Sequence, residues 1–84
     1  MTEAMELTNN MPNLEGFTAH DIEKEGDRIY AYGNRVEYKI ENVLYALIRD
    51  DDKSSHRIID KDGICHIPHP HWVAIRFSVT GLEF

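Results

Sequence analysis

One cysteine in 84 residues leaves no intramolecular disulfide to brace the fold. Basic residues are also few. Nine Lys and Arg stand against 15 Asp and Glu, a net charge of −6, and the nine are scattered among acids. A chain of that sign with no basic patch is repelled by nucleic-acid phosphates and by anionic lipid headgroups. Direct nucleic-acid or membrane-surface binding is therefore disfavoured, and a basic protein partner is electrostatically easier. No apolar run approaches the roughly 18 residues that span a bilayer. The first residues, MTEAMELTNNM, carry acids where a secretion signal needs bases, and they lack an apolar centre. With no Asn-x-Ser/Thr acceptor either, the expected compartment is cytoplasmic and reducing. There is no Gly-rich phosphate loop, no Ser-centred elbow and no His-Glu-x-x-His. The expectation is a protein that is not an enzyme.

What remains is a composition that folds: 42% hydrophobic and 29% charged. A chain this short buries only roughly 60–65% of its unfolded surface, so one small core is expected. Residues 1–13 read as a loose leader that pins Met5, Leu7 or Met11 on the core. Residues 14–84 read as a single α+β domain. In it, two β-hairpin-like units and a C-terminal strand form a mostly antiparallel sheet, with one helix (about 35–49) on one face.

The first hairpin spans residues 16–33, turning at Glu25-Gly26, where glycine supplies a positive φ. A two-residue loop there sets Glu23 opposite Arg28 and Ile22 opposite Ile29, and puts Phe17, Ala19, Tyr30 and Tyr32 on an inner face. The helix rests on Asn34-x-x-Glu37 as a capping box. Val36, Ile40, Val43, Leu44, Leu47 and Ile48 form its apolar stripe. Val36, Tyr38 and Ile40 also alternate with charged residues as in a strand, but the stripe runs for three turns, which favours helix. Asp-Gly at Asp62-Gly63 marks the second hairpin, 56–67. Pro68 and Pro70 make the next stretch an extended corner. In the final strand, Trp72 to Thr80, Val73, Ile75, Phe77 and Val79 are expected inward. Trp72, Ala74, Arg76, Ser78 and Thr80 are expected on the solvent or partner side.

Four constellations could carry chemistry. Cys65, His69 and His71 are ligand types that zinc or copper selects, and an extended chain would point all three to one side. A fourth ligand would come from His20 or His56. Cys65 as a nucleophile has no base in His66, which points to the opposite face, and would have one in His69 only if the corner folds back. Asp50, Asp51, Asp52, Asp60 and Asp62 lack the spacing of a calcium loop and read as solvated turns. The fourth is an interface. Tyr30, Tyr32, Tyr38, Tyr45 and Trp72 are many amphipathic aromatics for one small domain. On the expected helix, Tyr38 and Tyr45 stand two turns apart beside the Asp50, Asp51 and Asp52 loop.

The leading expectation is a small acidic module that docks on a protein, with Tyr38, Tyr45, Asp50, Asp51, Asp52 and Trp72 as contacts. It would inhibit or regulate a larger basic, nucleic-acid-handling partner and need no cofactor. The alternatives are a metal-binding or metal-sensing domain using Cys65, His69 and His71, and a homo-oligomer docking by its last strand and the Leu82/Phe84 tail.

Overall fold

Seven strands and two 3-10 turns account for the regular structure in the computed structural model, which describes residues 12–78. Most of the expected leader, and Val79, Thr80, Leu82 and Phe84, lie outside the described residues. The strands are β1 (Phe17–Asp21), β2 (Arg28–Ala31), β3 (Glu37–Ile40), β4 (Val43–Arg49), β5 (Asp52–Asp60), β6 (Cys65–His66) and β7 (Ala74–Phe77). They form two antiparallel sheets, one ordered β1-β4-β5-β6 and the other β3-β2-β7. Among the described residues no helix reaches seven residues, and none is long and apolar enough to cross a membrane.

The α+β expectation is thus corrected: strands take 52% of the described residues, and no helix packs on a sheet face. Residues 35–49 instead form two strands belonging to different sheets. Asn34 and Arg35 sit at φ 64° and 63°, in the left-handed region. A helix N-cap needs extended backbone, so the capping box does not form. Asn42, at φ 53°, breaks the run again between β3 and β4. β4 is an inner strand, hydrogen-bonded to β1 and β5. It carries apolar side chains on both faces, and a two-sided apolar run of this length has no clean period of two. Its overlap with a helical stripe was a coincidence of spacing.

The 16–33 hairpin does not form either. β1 pairs with β4, from Phe17↔Arg49 to Asp21↔Tyr45. β2 pairs instead with β3 and β7. Between them, a 3-10 turn at Glu23–Glu25 ends on Gly26 at φ 78° and carries the chain from one sheet to the other. The second hairpin does form: Ile58 faces His66 and Ile59 faces Cys65. The Asp60 backbone N–H bonds Ile64 O at 3.0 Å, and Gly63 takes φ 84° in the loop between them.

One core joins the sheets. Tyr30 and Ile40 come from one, Val43, Ala46 and Ile58 from the other, and Ile22 from the crossing turn. Tyr32, Trp72 and Ile75 pack against this cluster. The final strand is shorter than expected and only partly in the expected phase. Ile75 faces the core, but Val73 is 71% exposed and Phe77 50%. Trp72, expected outside, turns inward ahead of β7, because the corner that leaves β6 must cross to the other sheet before pairing resumes.

Candidate functional site

Two hydrogen-bonded chains of polar side chains run through the molecule. The first is interior. Arg28 Nη1 donates to the Tyr30 hydroxyl at 3.1 Å, and that hydroxyl is 2.6 Å from His56 Nδ1. His56 Nε2 lies 2.8 Å from Lys53 O. A carbonyl only accepts, so Nε2 carries the hydrogen and Nδ1 accepts from Tyr30. Trp72 closes over both rings, with centroids 6.1 Å from Tyr30 and 5.3 Å from His56, and donates Nε1–H to Ser54 O at 2.9 Å. Burial pushes the Tyr30 phenol up to about 12, against the opposing pull of Arg28. Burial also lowers His56, keeping it neutral. Glu25 stands 3.1 Å from Arg28 Nε without the alignment of a hydrogen bond. Burial raises its carboxyl, and Arg28 partly offsets that rise. This chain is largely buried and links Tyr30 of one sheet to His56 of the other.

The second chain reaches the surface. Asp60 Oδ1 accepts the backbone N–H of Asp62 at 2.9 Å and of Ile64 at 3.0 Å. Its Oδ2 lies 2.8 Å from His66 Nε2. The His66 bond first, then the two backbone bonds, hold Asp60 below the usual carboxylate range. An ionised carboxylate only accepts, so His66 Nε2 carries a hydrogen, and in the neutral imidazole Nδ1 has a lone pair. In that tautomer the Tyr38 hydroxyl, 2.8 Å from Nδ1, donates to it. The order carboxylate, imidazole, hydroxyl runs outward from the β5–β6 turn to β3 on the other sheet.

Tyr38 is 39% exposed and lines a groove of about 390 Å³ with Tyr32, Val36, Ile67, Pro68 and His69. Val36 and Ile67 stand 57% and 66% exposed. Tyr32 anchors the far wall by donating to His69 O at 2.8 Å. The proline corner is thus one wall of the groove, with Pro68 buried beneath it. With the Tyr38 proton directed at His66 in that tautomer, its oxygen offers lone pairs to a mostly apolar groove.

The residues expected to act together are placed as follows. Tyr38 is on β3 and Tyr45 on β4, in different sheets, so they share no helical edge. Asp50 and Asp51 make the tight turn from β4 to β5. The Thr18 hydroxyl donates to Asp50. Asp51 pairs with Arg49 at 2.7 Å, and Asp52 accepts from Ser54. Trp72 is partly buried and packs against the core cluster. Cys65 is exposed on β6. The His69 and His71 rings approach to 4.8 Å, and His71 N–H donates to His69 Nδ1 at 3.2 Å. Among the described residues no three His, Cys, Asp or Glu side chains are grouped to hold a metal ion. His56, a candidate fourth ligand, has both ring nitrogens bonded within the core.

Sequence reasoning missed His66 and Asp60 as partners. The signal was there: in the 56–67 hairpin Asp60 lies two residues along β5 from the partner of His66, a same-face diagonal. Tyr38 comes from the other sheet, and nothing local marks it. No family model, curated protein or solved structure matches the chain.

Proposed function

We propose that this protein is a docking module whose working surface is the groove between β3 and the proline corner. It takes an extended segment of a basic protein and acts by occupying that segment rather than by catalysis. The observation that carries the reading is the Asp60–His66–Tyr38 hydrogen-bonded chain ending at the rim of an apolar groove, which with neutral His66 leaves the Tyr38 oxygen as an acceptor. Such a site selects an apolar anchor with an N–H donor beside it. Lys and Arg offer that donor on long apolar stems. The net charge of −6 favours the same partners at long range. Inhibition or regulation of a larger basic protein follows as the biological role.

A displayed library of random peptides tests this. Selected sequences should combine an apolar or aromatic residue with nearby Lys or Arg. Their binding, read by fluorescence anisotropy, should weaken with salt. Tyr38→Phe removes the acceptor, and about 1 kcal/mol for one hydrogen bond gives roughly fivefold weaker binding. Ile67→Asp should weaken it more. Selected peptides that are acidic, or that bind both variants as well as the parent, would refute the proposal.

A further inference from the structure

β3 is an outer strand: in the sheet ordered β3-β2-β7 its one ladder partner among the described residues is β2. The bonding phase can be read from one contact. Tyr32 N–H donates to Val36 O at 2.8 Å, just beyond the Ala31↔Glu37 pair. Bonded pairs in an antiparallel ladder recur at every second residue. Val36, Tyr38 and Ile40 therefore aim their backbone groups at β2, and Glu37 and Lys39 aim theirs outward at the open edge.

We infer that this edge pairs with β3 of a second copy, antiparallel, about a two-fold axis at Tyr38. The backbone phase admits that register. Glu37 and Lys39 of one copy become the bonded residues opposite Lys39 and Glu37 of the second copy, and Tyr38 meets Tyr38 between them. Charges on an open edge ordinarily repel an incoming strand. Here an antiparallel copy meets opposite charge at both positions, a favourable cross-strand arrangement. Both side chains are available: Glu37 is about half exposed while bonded to Arg76, and Lys39 has only loose contacts, 3.8 Å to Asp27 and 3.6 Å to Glu41. On the inner face, exposed Val36 lies opposite Ile40 of the second copy, and the two grooves run into each other across the axis. β7, the other outer strand of this sheet among the described residues, offers no such match, since Arg76 is its one charge. The inference rests on the reading of this face as a docking surface, and it names a second copy as one occupant of the edge beside the groove.

Sedimentation of the full chain over a concentration series tests it. The parent should form a dimer. Glu37→Lys and Lys39→Glu should each weaken it about tenfold, since each places like charges opposite one another twice. An equal mixture of the two variants should restore it as a heterodimer. Lys39→Pro removes an outward N–H that no ladder bond among the described residues uses, and should abolish pairing while circular dichroism stays that of the parent. A parent that remains monomeric overturns the inference, as does a dimer that survives Lys39→Pro or both charge reversals. Peptide binding by a monomeric parent would leave the docking reading standing, and a dimer that binds no selected peptide would remove that reading alone.

Discussion

Removing one oxygen atom from the core should cost this domain much of its stability. The Tyr30 ring is 0% exposed, and its hydroxyl accepts from Arg28 and donates to His56. Tyr30→Phe keeps the ring in place and deletes both bonds. His56 Nδ1 is left buried without a donor, and Arg28 loses an acceptor in a site where its side chain is 10% exposed. Each orphaned buried group costs about 1–3 kcal/mol, so the expected loss for the two is about 2–6 kcal/mol. Against a total of about 4–13 kcal/mol for a chain of this length, that is a large share. Urea unfolding followed at Trp72, the single tryptophan, reads it directly. The midpoint should fall and the slope stay constant, because the surface exposed on unfolding is unchanged. Adding His56→Leu removes the orphaned nitrogen. The double variant should then be less destabilised than the two single losses summed, with a coupling of about 1–3 kcal/mol. A Tyr30→Phe protein within about 0.5 kcal/mol of the parent would refute the reasoning.

The pH dependence has two arms. Tyr30 is raised to about 12 in the fold from an ordinary 10.0. The folded state thus holds its proton longer, and stability should fall as pH rises from 10 towards 12, with Tyr30→Phe removing that arm. His56 is lowered from 6.5 by burial, so the unfolded chain takes up that proton first and stability should fall as pH drops below 6.5. Asp60 adds a second loss through the carboxylate range, and Asp60→Asn should flatten that part of the profile. Chemical denaturation at stepped pH checks all three, and profiles unchanged by the substitutions would contradict the assignment. Arg35, at φ 63°, occupies a conformation that costs a non-glycine residue about 1–2 kcal/mol. Arg35→Gly should therefore stabilise by up to about 1 kcal/mol after the added chain entropy, and a thermal melt showing a loss would mean the strain is relieved locally.

The local signals that held are those in which a few adjacent residues decide the outcome. Asp62-Gly63 built its hairpin because a left-handed glycine closes that loop whatever surrounds it. Pro68 and Pro70 kept 67–73 out of the sheets because proline lacks a ladder donor. Tyr30 and Tyr32 shared an inner face because side chains alternate along any strand. The candidate site was legible in part. Tyr38 was picked out as an exposed aromatic, whereas its partners His66 and Asp60 were passed over for the more conspicuous Cys65, His69 and His71.

Residues by themselves settled that these 84 residues are acidic and hold no intramolecular disulfide, and turn chemistry placed the 56–67 hairpin. Tertiary structure alone decided the rest. Whether Val43–Arg49 is helix or strand depends on having β1 and β5 on either side of it, because a two-sided apolar run satisfies its backbone equally well in a helix or between two strands. The site depends on the same choice. Tyr38 reaches His66 only because β3 and β6 lie in different sheets that close on a common core, and no local spacing encodes that approach.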